Sequence, residues 1–85
     1  SPVVELNRAV AVGMAHGPVA GLAILETLLS DKALQRYPWL PAVQGDLLDK
    51  LGRSEEARAA FLRAADLAGN ARERALMRSR AGMAD

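Results

Sequence analysis

The chain predicts an all-α fold of antiparallel helical hairpins, and three observations carry that expectation. Apolar residues make up 51% of the sequence while aromatics make up 4%, so the apolar content is mostly Ala and Leu, which favour helix-on-helix packing over a sheet sandwich. Gly17-Pro18, Gly52 and Gly69 punctuate the chain at helix-length intervals. Between them, small and large residues alternate in a set order: Gly45, Leu48, Gly52, Ala57, Phe61 and Ala64. Gly45 and Ala57 lack bulk where two antiparallel backbones would approach, Leu48 and Phe61 fill the space beside them, and Ala64 leaves room for the next element to dock.

The first helix is expected from Pro2 to about His16. Ser1 offers an oxygen to cap free amides, and proline costs nothing at the first helical position. Val3, Leu6, Val10 and Met14 recur at helical spacing, but Val4, Ala9, Ala11 and Val12 widen the apolar surface, so this helix wants neighbours on two sides. Gly17 is expected in a left-handed cap, with Pro18 opening a second helix that runs to about Leu29 through Leu22, Leu25 and Leu28. Residues 2–29 form the first hairpin. Residues 30–38 read as an irregular connection: Ser30 or Asp31 can cap a single turn, and Pro38 and Pro41 push the residues before them away from helix.

The second hairpin covers about 39–68. Its first helix starts near Trp39 to Pro41 and ends at Leu51; Gly52 closes it, Ser54 caps the next, and Glu55 and Glu56 favour the positive end of that helix dipole. Gly69 then breaks the chain, and Asn70 with Glu73 forms a capping box for a closing helix over about 71–83. Aligning Gly21 with Ala57 and Leu25 with Phe61 relates the hairpins by 36 residues, which makes the first a degenerate copy of the second. Residues 1–85 are thus one helical-repeat domain. A chain this short buries only roughly 60% of its unfolded surface. Two hairpins and a closing helix fall short of the three repeats that usually stand alone, so an upstream helix in a longer protein is expected.

Composition narrows the function classes. A net charge of +1 gives no general attraction to nucleic acid or anionic membrane, and no apolar run reaches the ~20 residues of a membrane span. No cysteine is present, so neither a disulfide framework nor a thiolate metal site exists. His16 is the single histidine, which rules out a paired-imidazole site or a Ser-His-Asp relay within the chain and leaves a helix-end role. Gly13, Gly17 and Gly21 lie in and between helices rather than after a strand, so they form no phosphate loop. Asp46 and Asp49 share nearly one helix face but read as ordinary solvated carboxylates. The expectation is a non-enzymatic domain with no catalytic residue, cofactor or metal, and the absence of cysteine is compatible with a reducing compartment such as the cytoplasm.

The order of small and large residues resembles the tetratricopeptide repeat, fully in the second-helix half (Gly52, Ala57, Phe61, Ala64) and partly in the first, where Leu48 stands for the usual Tyr. Three stretches carry a more specific likeness: SPVVELNRAVAV at 1–12, HGPVAGL at 16–22, and LPAVQGDLLDKLGRSEEARAAFLRAADLAGNARERALM at 40–77. Together they resemble the C-terminal, tetratricopeptide-like extension of a subgroup of bacterial extracytoplasmic-function sigma factors, which direct RNA polymerase to promoters. The resemblance implies a short solenoid that acts by protein contact in transcription initiation. Its implied partners are the sigma regions of the same full-length chain or RNA polymerase, with DNA bound only through regions upstream of this sequence. A generic peptide-binding adaptor and an accessory domain of an enzyme remain as rivals.

First helices of stacked hairpins line the concave side of a solenoid, which makes Asn7, Val10, Met14, Trp39, Asp46, Asp49 and Lys50 the candidate partner-binding groove. Asn7 is expected either to tie down a neighbouring loop or to grip a peptide backbone, because an amide inside an apolar helix needs a hydrogen bond. Trp39 is expected to plug the irregular connection. Arg72, Arg74, Arg78 and Arg80 spread around the closing helix and read as solvated. The apolar face of the first helix is the expected surface for a homodimer.

Overall fold

The computed structural model describes residues 1–83 and is all-helical: α1 (Pro2–His16), α2 (Pro18–Glu26), a single 3-10 turn (Lys32–Leu34), α3 (Trp39–Lys50), α4 (Ser54–Leu67) and α5 (Ala71–Met83). Each helix packs against the next in the chain, most extensively α1 on α2, α3 on α4 and α4 on α5, with α2 meeting α3 more lightly. The molecule measures 29 × 28 × 18 Å, and its thin dimension is that of two helix layers, whose axes pack about 8–10 Å apart.

The α3–α4 hairpin is built around the glycine–phenylalanine contact. A Cβ added at Gly45 would lie 2.8 Å from both Cδ1 and Cε1 of Phe61, so the ring sits directly on the α3 backbone. Ala57, Ala60 and Ala64 are fully buried beside it. In α1–α2 the same closeness is reached with glycine alone: a Cβ at Gly21 would meet the Ala9 carbonyl oxygen at 2.8 Å and Gly13 Cα at 2.9 Å. Gly13 and Gly21 are therefore packing residues where two helix backbones touch. The first hairpin compensates with Ala9 and Leu25, both fully buried, where the second uses Gly45 and Phe61.

The end of α3 carries a complete Schellman closure. Arg53 N–H donates to the Leu48 carbonyl at 3.0 Å, Gly52 N–H to that of Asp49 at 2.9 Å, and Gly52 adopts φ +75° to make both bonds. Asn70 caps α5, its Oδ1 accepting from Glu73 N–H at 2.8 Å. Asp31 likewise accepts from Ala33 N–H at 2.9 Å and starts the 3-10 turn.

Several local expectations are corrected. Gly17 has a positive φ of 98° but a ψ of 162°, an extended glycine-only conformation rather than the left-handed cap, because the same residue must end α1 and start α2. Neither Ser1 nor Ser54 caps with its side chain: the Ser1 carbonyl accepts from Glu5 N–H, and Ser54 is already the first residue of α4, with Arg53 at the cap position. α2 stops at Glu26 instead of Leu29. Thr27 turns its hydroxyl back to the Ile24 carbonyl at 2.7 Å, and Thr27, Leu28 and Leu29 bond three residues back rather than four, tightening the chain into turns.

The connection after α2 is ordered by side chains rather than by regular structure. Leu34 is only 1% exposed, Gln35 donates to the Leu29 carbonyl at 2.8 Å, and Tyr37 packs half-buried on the core. Tyr37 and Leu34, not Trp39, fill the gap between the hairpins; Trp39 is 45% exposed. Among the described residues the core contains no buried polar side chain, so packing alone specifies it.

Candidate functional site

Three helices bring one groove together. α1 contributes Val10, Gly13 and Met14, α3 contributes Trp39, Ala42, Val43, Asp46, Leu47 and Lys50, and α5 contributes Arg80. The space is an open, largely apolar groove of about 140 Å³. Its floor exists because Gly13 has no side chain: a Cβ there would come within 2.9 Å of Leu47 Cδ2.

One carboxylate organises the rim. Asp46 accepts from the Arg80 guanidinium at 2.7 Å and pairs with Lys50 Nζ at 3.3 Å, one helical turn further on. Arg80 also lies over the Phe61 ring, 4.8 Å from its centroid, so the guanidinium is held between a carboxylate and an aromatic face. Two cations facing one anion leave the rim with a positive excess. Met14, 78% exposed, and Trp39 stand at the groove's edges with their apolar surfaces in solvent.

Trp39 and Ala42 also line a second apolar groove of about 260 Å³ on their other side, with Tyr37, Ala64, Leu76 and Met77. Trp39 is thus a ridge between two depressions, and Leu76 beyond it is 56% exposed. An apolar track crosses α1, α3 and α5 through Met14, Trp39 and Leu76.

Of the seven residues placed in the groove from sequence, Val10, Met14, Trp39, Asp46 and Lys50 line it, whereas Asn7 and Asp49 do not. Asn7 is exposed on the outer side of α1, so it is neither an amide buried among apolar neighbours nor a tie for a loop. Asp49 is exposed as well and does not join Asp46 in a carboxylate pair. Leu6 belongs to the core at 0% exposure. Arg80 corrects the reading of α5 as uniformly solvated: the spacing of its arginines did not separate it from Arg72 and Arg78, because the Asp46 partner lies 34 residues away. His16 is exposed in the last turn of α1, where a basic group suits the helix dipole. Away from the groove, the Arg8 guanidinium hydrogen-bonds Glu5 at 3.1 Å and holds its carboxyl below the usual glutamate range.

Among the described residues, no group of three or more His, Cys, Asp or Glu side chains is gathered to hold a metal, and no helix is long and apolar enough to cross a membrane. The chain is 51% identical over 78 residues to an uncharacterized protein of Rhizobium meliloti (strain 1021), an alignment spanning 92% of this chain and 18% of the relative. The chain therefore spans less than a fifth of the length of the curated relative it matches. No family model matches the chain, and no solved structure matches it.

Proposed function

We propose that this chain is a non-catalytic, tetratricopeptide-like interaction module from the C-terminal extension of a bacterial sigma factor, acting in the cytoplasm by holding a protein segment in the groove between α1, α3 and α5. The observation that carries the contact role is the groove itself: an apolar floor, two exposed apolar edges at Met14 and Trp39, and a charged rim of Asp46, Lys50 and Arg80. Apolar grooves with a few placed polar groups are what peptide segments dock into. The sigma-factor part rests on the likeness of residues 1–12, 16–22 and 40–77 to that extension. The long Rhizobium relative supports placing such a unit inside a larger polypeptide.

The mechanism is a coupling of contacts. When the groove holds the sigma regions of its own chain, or RNA polymerase, its affinity for that partner biases how often the factor reaches polymerase. Deleting this module from the intact factor is expected to change promoter-dependent transcription. Met14→Glu, which places a charge at an exposed groove edge without touching the core, is expected to do the same while leaving thermal stability unchanged. Unaltered transcription in both variants would reject the reading.

A further inference from the structure

The two hairpins superimpose in sequence by a shift of 36 residues, and four pairs check that register in three dimensions. Pro2 and Pro38 stand at the starts of α1 and α3. Ala9 and Gly45 are buried small residues of the first helices, Gly21 and Ala57 of the second, and Leu25 and Phe61 are buried large residues of the second helices. The same shift carries Leu40, Val43 and Leu47 of α3 onto Val4, Asn7 and Ala11 of α1.

The three α3 residues belong to the seam by which the second hairpin rests on the first, a seam in which α3 meets α2 more extensively than α1. Leu47 reaches Gly13 of α1, Val43 lines the groove shared with α1, and Leu40 lines a depression with Leu29 and Leu34 of the connection. All three are buried, at 4–6% exposure. Their α1 counterparts are all exposed, Val4 at 62%, and Val3 and Ala15 extend the same uncovered apolar surface.

We infer that the outer face of α1, centred on Val4, Asn7 and Ala11, is an inter-hairpin seam whose occupant is a preceding helical hairpin of the same polypeptide, seated as the first hairpin is seated on α3. The molecule holds its own template for that contact, and the Rhizobium relative has more than four-fifths of its length outside the matched stretch, ample chain to supply such a hairpin. Asn7 stands at the place of Val43, so the incoming hairpin brings a hydrogen-bonding group to that point. These residues are distinct from the groove-lining Val10 and Met14, so the seam stands or falls separately from the groove.

The test is a tandem chain in which residues 1–37 are joined to residues 2–85, so that Tyr37 precedes Pro2 as it precedes Pro38, with Asn7→Val both in the 85-residue portion and in the 85-residue chain it is compared with, because the copied hairpin is shaped for Val43 at that place. Amide exchange in α1 of the intact 85-residue portion is expected to slow by about tenfold or more relative to the 85-residue chain alone. Val4→Glu and Ala11→Glu in that portion are expected to abolish the slowing, yet to leave the urea midpoint of the 85-residue chain unchanged. Unslowed exchange in a folded tandem overturns the inference. So does a fall in midpoint when either glutamate is placed in the 85-residue chain. A dimer of the 85-residue chain that Val4→Glu splits would assign the face to a second copy and also overturn it. Should the tandem not fold, the 85-residue chain decides alone: α1 amides exchanging about tenfold faster than those of α3 support the seam, and equal protection refutes it.

Discussion

Gly45 and Phe61 can be tested as a single packing unit. In Gly45→Ala the new methyl would stand 2.8 Å from two ring carbons and 3.0 Å from Cγ, whereas carbon atoms rest at about 3.5–4.0 Å. The ring has little room to withdraw, since Phe61 is 2% exposed and Arg80 lies over its face. Overpacking of this kind costs about 1–3 kcal/mol, while replacing glycine by alanine in a helix returns about 0.8–1.0 kcal/mol, so a net loss of roughly 1 kcal/mol is expected. For a domain of this size that is a fall in Tm of about 4–8 °C. Phe61→Leu alone leaves a void and is expected to cost about 1–2 kcal/mol. The first hairpin already pairs an alanine with a leucine at the equivalent positions, Ala9 and Leu25, both fully buried. The double variant Gly45→Ala/Phe61→Leu should therefore recover stability, with a coupling of about 1 kcal/mol or more in a double-mutant cycle followed by far-UV circular dichroism in urea. Strict additivity of the two losses would refute the packing argument.

Further expectations follow from single contacts. Gly52→Ala forces φ +75° on a residue with a side chain while meeting no atom within 4 Å, so it should lose about 1–2 kcal/mol from backbone strain alone; Gly69→Ala, equally open but without a positive φ, serves as the urea-denaturation control and should be near neutral. Asp46→Asn removes the shared partner of Arg80 and Lys50; as these side chains are more than a third exposed, the loss is expected at only about 0.3–1 kcal/mol, shrinking in high salt, and a larger, salt-insensitive loss would contradict a screened ion pair. Glu5, bonded by Arg8, should titrate below the ordinary glutamate range in a carboxyl-resolved NMR titration and return to it in Arg8→Ala. Because its folded-state pKa is the lowered one, the stabilisation is present above the ordinary glutamate pKa and is lost as pH falls through the folded value.

Much of the architecture was legible along the chain because it rests on local chemistry. Pro2, Pro18, Gly52 and Asn70 mark helix ends through backbone geometry that involves only near neighbours, and the Gly45, Ala57 and Phe61 spacing follows from the helical repeat within one hairpin. The end of α2 was not legible, since Leu28 and Leu29 continue an apolar pattern and only the Thr27 hydroxyl competing for the Ile24 carbonyl turns the chain. Gly21 was legible as the counterpart of Ala57, but Gly13 only as a glycine that forms no phosphate loop, because the contact between the two glycines depends on how the two helices cross.

By itself, then, the order of residues determined an all-helical chain, its hairpins, and a groove side on which Val10, Met14, Trp39, Asp46 and Lys50 stand together. Only the tertiary structure decided that Arg80 closes the rim, that Trp39 is a ridge rather than a plug, and that Asn7 faces outward. The division is physical: helix starts, stops and faces are set by bonds within about four residues, whereas the Arg80–Asp46 pair joins residues 34 apart and exists because α4 packs against both α3 and α5 and brings Arg80 within reach of Asp46.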